Sequence, residues 1–249
     1  MNDIKILDLG HVRLVESTLS DTSVVRSARV SYGKGLTEPE KDKKLVKYML
    51  DNKHYTPFEH NTVTFHVKCP IFVMRQIIRT RIGVSFNEIS GRYTEMKDDF
   101  YLPTVWRAQA KGPGANKQGS VEAVELPHAD MTKEVARFHI SAYELYESLI
   151  ARGAAREMAR IVLPLSLYTE FYFTLNARSL MNFIVLRSEG HAQAETRQFS
   201  HAMAYFLKEA MPWTWEAFTG TLKGYEEMDA AIATFKASEP QGECVPQMV

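Results

Sequence analysis

The clearest pattern along the chain is the alternation in "NTVTFHVKCP". Val63, Phe65 and Val67 fall on one side, and Thr62, Thr64, His66 and Lys68 on the other. That period predicts a half-buried strand. Pro70 ends it and can open a helix, because proline suits the first helical turn. The helix predicted over "IFVMRQIIRTR" turns Ile71, Phe72, Met74 and Ile78 toward a core and sets Arg75 and Arg79, four apart, on another face. Upstream, "IKILDLGHVRLVESTL" predicts one or two strands. A short helix follows, ending near Ser31, with Asp21 or Thr22 as its N-cap. "EKDKKLVKYML" predicts a helix with an imperfect apolar face, and "HYTPFEH" a turn around Thr56-Pro57.

In the second half, a long helix is predicted over "ADMTKEVARFHISAYELYESLIARG", with Asp130 as N-cap and Gly153 past its end. "AAREMARIVLP" predicts a shorter helix stopped by Pro164, and aromatic, β-branched "LYTEFYFTLN" a strand. "ARSLMNFIVLRS" and "HAQAETRQFSHAMAYFLKEAM" predict two more helices. From Leu102 to Pro127 the pattern fades, and "KGPGANKQGS" reads as an exposed loop. Regular βα alternation is missing, so the expected class is α+β, with helices packed on a mainly antiparallel β-sheet. One domain over 1–249 is expected, with an exposed loop near 103–127 and a flexible C-terminal tail.

Composition narrows the function. Lys plus Arg and Asp plus Glu are balanced at 30 each in 249 residues, which argues against a nucleic-acid binder but not against a local arginine site for a small anion. Cys69 and Cys244 are far apart and lack metal-ligand spacing. With no basic, apolar leader at the start and no apolar run near the ~20 residues of a membrane span, a reducing cytoplasmic setting is expected.

Polar residues then gather in two places. Gln76, Arg79, Arg81, Glu88, Ser90 and Arg92 hang off an apolar segment, with Gly91 allowing close backbone approach. Guanidinium forks match phosphate or carboxylate; the alternative is a solvated, salt-bridged helix end. Asn176, Arg178, Asn182 and Arg187 form the second group, within an otherwise apolar stretch. Asparagine is a poor helix-interior residue, so Asn182 needs a hydrogen-bonding reason; a buried structural asparagine is the competing account. His54 and His60 do not form HExxH, and no metal site is expected. GxGxxG, Walker and GxSxG motifs are absent.

At these same residues the chain resembles the flavin-dependent thymidylate synthases (ThyX). The signature of that family is Arg-His-Arg, a short spacer and Ser; here it stands as "RTR" at 79–81, eight residues, then Ser90. "FNEISGRY", "ARVSYGKGL", "HYTPFEH", "FHVKCPIFVMRQ", "REMARIVLPLSLYTEFYFTLNARSLMNFIVLR", "HAQAE" and "PWTWEAF" also look like the family. The resemblance implies reductive methylation of dUMP to dTMP, using 5,10-methylenetetrahydrofolate as carbon donor and NADPH as reductant through FAD. It implies a homotetramer whose active sites are shared between subunits, with no role for nucleic acid or membrane. It implies dUMP contacts at Gln76, Arg79, Glu88, Ser90, Gly91, Arg92, Arg160 and Arg187, with Arg187 the catalytic cation. It implies FAD contacts at Ser31, His54, Thr56, Arg79, Thr80, Arg81, Glu88, Asn176, Arg178 and Asn182. Thr80 departs from the pattern: it replaces the signature histidine and removes an imidazole there. A catalytically dead nucleotide-binding relative and a nucleic-acid module are the rival readings; intact Glu88 and Arg187 oppose the first, and neutral charge the second.

Overall fold

The computed structural model describes residues 2–112, 119–220, 222 and 225–237. The strands are β1 Asp3–Ile6, β2 Gly10–Ser17, β3 Thr62–Pro70, β4 Val84–Glu88, β5 Arg107–Gln109, β6 Ser120–Glu122 and β7 Tyr168–Asn176. Five of them form one sheet in the order β1-β2-β3-β7-β4, every pair antiparallel. The helices are α1 Asp21–Arg29, α2 Pro39–Asp51, α3 Thr56–Glu59, α4 Ile71–Ile77, α5 His128–Ala151, α6 Arg156–Ala159, α7 Ala177–Ser188, α8 Ala194–Ala210, α9 Pro212–Thr219 and α10 Glu226–Ala237. The class is α+β.

The alternation in β3 settles the layers. Val63, Phe65 and Val67 pair with Leu175, Phe173 and Phe171 of β7. All six are buried, in one core with Leu180, Phe183 and Ile184 of α7 and Phe199, Met203 and Phe206 of α8. The other sheet face carries Thr64 against Thr174, His66 against Tyr172 and Lys68 against Glu170. Burying one face and leaving the other polar is what a period-two pattern requires. Since β3 and β4 flank β7 and are both antiparallel to it, they run the same way. β3 ends opposite Tyr168 and β4 begins opposite Leu175, so the chain between them must run back over the buried face of the sheet, and α4 with the turn 78–83 makes that crossing.

Several element ends differ from expectation. Ser20, rather than Asp21 or Thr22, caps α1, its hydroxyl accepting from Ser23 N. The Asp21 carboxylate instead accepts from Trp213 N at 2.7 Å, Thr214 N at 3.0 Å and Thr214 Oγ1 at 2.6 Å. It thereby satisfies the free N–H groups that open α9. Helix α4 stops at Ile77, so Arg75 and Arg79 share no helical face; the crossing must turn there to reach β4. Val73 and Ile77 are fully buried, whereas Ile71, Phe72 and Ile78 are only partly so. Helix α5 begins after Pro127, which puts Asp130 in its first turn rather than at the cap. Gly153 does follow its end, with φ of 89°. The segment before Pro164 is four residues of α6 and a 3-10 turn, Arg160–Val162, instead of one helix.

Of the expected loop near 103–127, residues 113–118 lie outside the described residues, and the flanking parts are anchored at two points. β5 and β6 form a hairpin whose Arg107 grips Glu195, and Trp106 Nε1 donates to Thr132 Oγ1 at 3.0 Å. Toward the C-terminus, Met228 and Ile232 of α10 are buried in the main core. The expected tail beyond 237, with Cys244, lies outside the described residues.

Acid sensitivity is built into α8. His201 is 1% exposed and its Nε2 has no hydrogen-bond partner. Burial holds its pKa down at about 4; Glu227 opposes the shift and Arg197 adds to it. The imidazole is neutral when folded but takes a proton near 6.5 when unfolded. Its stabilising contribution is therefore full above pH 6.5 and is lost as pH falls toward about 4, with a total of ~3 kcal/mol. His11, held at about 4 chiefly by burial, acts in the same direction. Denaturation at pH 7 and pH 4.5 should show this loss, and His201→Leu should reduce it. An unchanged pH slope in that variant would remove His201 as the cause.

Candidate functional site

The turn after α4 and the start of α7 are built together. Asn176 ends β7 and caps α7, its Oδ1 accepting from Ser179 N at 2.8 Å. Ser179 Oγ donates to Ile82 O at 2.7 Å. Gly83, with φ of 67°, lies so close that a Cβ there would stand 2.5 Å from Ser179 Oγ and 2.6 Å from Asn176 Nδ2. Only glycine fits both the space and the backbone angle. These contacts pin the 79–83 turn to the α7 N-terminus, which also holds Arg178. Arg178 pairs with Glu59 of α3 and lies 4.8 Å over the Tyr55 ring. Thr56, Arg178 and Asn182 are exposed. Asn182 thus faces outward from α7 and is not the buried structural residue of the competing account.

Thr80 is different: it is 7% exposed, and its Oγ1 is buried without a partner. A ligand reaching that hydroxyl would have to open the turn, so the exposed flanking Arg79 and Arg81 are the accessible groups. Ser31 and His54 are also exposed, but no hydrogen bond ties either side chain to the Arg178 group among the described residues. His54 packs edge-on to Tyr48, with ring centroids 6.0 Å apart.

Arg187 lies in the last turn of α7. Its Nε is buried and unpaired. Burial, and then the positive charge of Arg79, lower the Arg187 pKa from the usual arginine value; guanidinium still stays protonated near neutrality. Arg92, Arg107, Arg156, Arg178 and Arg197 all have carboxylate partners. Among the described residues, Arg79, Arg81, Arg160 and Arg187 have none. Two like charges that weigh on each other beside buried structure, neither with a carboxylate partner among the described residues, suit an anion.

A second group gathers at the far end of β4. Glu88 accepts from Thr169 Oγ1 at 2.6 Å. The Ser90–Tyr93 turn follows, with Tyr93 N donating to Ser90 O at 3.0 Å. A Cβ on Gly91 would lie 3.2 Å from Arg160 Cδ, so the bare backbone lets Arg160 rest against the turn. Arg92 Nε bonds Glu157 Oε2 of α6 at 3.0 Å. Glu88, Ser90, Gly91, Arg92 and Arg160 thus form one constellation, and Arg79 with Arg187 lies outside it, Gln76 being three residues before Arg79 in the chain. No hydrogen bond or ion pair joins the two among the described residues.

Sequence reasoning missed the residues behind these. Gln193 and Thr196 hold Gln76, and Glu195 holds Arg107. Their signal was the polar run "HAQAET" opening an otherwise apolar helix. Cys69 is buried and its thiol pKa is pushed up by that burial and by Glu88, so it is no ready nucleophile. Among the described residues no cluster could hold a metal ion, and no helix is long and apolar enough to cross a membrane.

The available donors fit a flavin nucleotide. The side chains of Thr56, Arg79, Arg81 and Asn182 carry no hydrogen bond or ion pair among the described residues, and charged and amide groups of this kind bind pyrophosphate and heterocycle edges. Asn176 is largely consumed as a cap.

Comparison with known proteins shows the family. Residues 13–213 match the family model Thy1, described as thymidylate synthase complementing protein. The flavin-dependent thymidylate synthase of Thermosipho melanesiensis is 52% identical over 217 residues, spanning 87% of this chain and 93% of its own. That of Thermus thermophilus is 45% identical over 215 residues, spanning 86% and 77%. The crystal structure of a UMP/dUMP methylase, PolB from Streptomyces cacaoi, bound with 5-Br dUMP, superposes with a TM-score of 0.78 at 36% identity over 87% of this chain and 97% of that one. The chain therefore belongs to the Thy1 family of thymidylate synthase complementing proteins, together with these flavin-dependent thymidylate synthases.

Proposed function

We propose that the chain is a flavin-dependent thymidylate synthase acting in the cytoplasm. It converts dUMP, 5,10-methylenetetrahydrofolate and NADPH into dTMP, tetrahydrofolate and NADP. The observation that carries this reading is Arg187, whose Nε is buried and unpaired and whose guanidinium, like that of Arg79, has no carboxylate partner among the described residues. When bound, FAD would carry reducing equivalents from NADPH to the one-carbon unit that the folate donates to the pyrimidine. The protein's own part is binding and charge. Arg79, Arg81, Thr56, Asn182 and Arg178 hold the cofactor. Ser90, Gly91, Arg92 and Arg160 take the nucleotide phosphate and sugar with Glu88, Gln76 and Arg79. Arg187 faces the pyrimidine and stabilises negative charge as the ring carbon becomes nucleophilic.

The active unit is proposed as a homotetramer in which one copy's Arg160 group meets another's Arg187 group. Its support is apolar exposure interleaved with the site: Ile82 is 87% exposed, Tyr93 80% and Ile161 72%. Each adjoins a site residue, and apolar surface so placed suits coverage by a second copy.

The test is purification followed by assay. The protein should be yellow with an FAD spectrum. It should form dTMP from dUMP only when the folate and NADPH are both present. Flavin-loaded protein that binds dUMP without turnover would establish the nucleotide-binding relative instead. Because PolB is a UMP/dUMP methylase, UMP belongs in a parallel arm; faster turnover of UMP would move the substrate to the ribonucleotide.

A further inference from the structure

Gln76 lies in the last turn of α4, three residues before Arg79, and the start of α8 holds its side-chain amide at both ends. Gln76 Nε2 donates to Gln193 Oε1 at 2.5 Å, and Gln76 Oε1 accepts from Thr196 Oγ1 at 3.2 Å. Thr196 is fully buried, so its hydroxyl has little choice of partner. That turn is itself clamped. Glu195, 4% exposed, accepts from Arg107 Nη2 at 2.7 and 2.8 Å and from the Tyr101 hydroxyl at 3.2 Å. Arg197 Nη1 donates to Ala192 O at 2.6 Å, fixing the link that arrives from α7.

An amide has two N–H donors and two acceptor lone pairs. The two bonds to α8 consume one of each and leave one of each on Gln76. We infer that Thr196 and Gln193 are positioning residues that lock the Gln76 amide in one orientation for the nucleotide. This deepens the dUMP reading and rests on it. Neither residue touches the substrate; each acts by denying Gln76 its other rotamers and its flipped amide. A locked amide loses less freedom on binding, so the effect belongs to affinity and not to the chemical step.

The test uses FAD-loaded full-length protein and dUMP titration. Thr196→Val keeps the shape and removes the hydroxyl. It should raise the dUMP Kd roughly three- to tenfold, the scale of one hydrogen bond, while FAD stays bound and kcat at saturating dUMP is kept. Thr196→Ser should restore affinity. Gln193→Leu, at an exposed position, should reproduce the weakening, and it serves as the test if Thr196→Val folds poorly. In a double-mutant cycle with Gln76→Ala, Thr196→Val should add nothing, because its effect passes through Gln76. Wild-type dUMP affinity in both Thr196→Val and Gln193→Leu, or full additivity with Gln76→Ala, would overturn the inference. If dUMP binds the wild type and Gln76→Ala weakens it while those two variants do not, only this inference falls. If the wild type binds no dUMP, the functional reading falls with it.

Discussion

Arg187→Ala is expected to weaken dUMP binding at least tenfold and to leave FAD bound. Arg187 sits partly buried with its Nε unpaired and with Arg79 as its charged neighbour. Holding two cations together in a partly dry place is unfavourable until an anion arrives, so the pair is set for a ligand's negative charge. Removing one partner of such a buried contact costs roughly 2–5 kcal/mol, and each ~1.4 kcal/mol is tenfold in affinity. Turnover should fall further, since charge on the pyrimidine rises during reaction. Lysine should rescue only in part, lacking the bidentate fork. The same geometry has a consequence for the ligand-free protein: losing one cation relieves repulsion, so its Tm should not drop, while the stabilisation by added dUMP should shrink. Near-normal dUMP affinity with near-normal turnover would remove Arg187 from the site.

Arg187→Ala and Arg160→Ala should each abolish most activity alone, and co-expression of the two should bring it back. If a site takes the Arg187 group from one copy and the Arg160 group from another, random assembly leaves about a quarter of sites with both groups intact. Differently tagged variants, purified through both tags and assayed for dTMP, provide the measurement. Activity of the mixture no higher than that of its components would mean that each chain holds a whole site by itself. The prediction follows from the two groups that no bond joins, and from the exposed Ile82, Tyr93 and Ile161 beside them.

Much of this protein is determined locally. In β3 and β7 the alternation of Val63, Phe65 and Val67 and of Phe171, Phe173 and Leu175 depends only on successive side chains pointing to opposite faces. Gly153 behind α5 likewise follows from backbone geometry, and the family signature is a matter of short-range spacing. For these the sequence sufficed.

The tertiary structure decided what depends on residues far apart in the chain. Asp21 reads as an N-cap of its own helix, yet it caps α9 because packing brings residues 213 and 214 to its carboxylate. Helix α4 loses its last turn because β4 has to reach β7. The anchoring of Arg107 by Glu195 is not legible in the sequence because the two lie 88 residues apart. In the sequence, Arg79, Arg92, Arg178 and Arg187 are equivalent cations. Folding gives Arg92 and Arg178 carboxylate partners and sets Arg79 against Arg187 with none. Periodicity reports which face of an element is buried, because that is a property of neighbouring residues. Which charge meets which is a property of the packed whole, so the cluster of arginines is legible in the sequence but which of them stay without a carboxylate partner is decided only by folding.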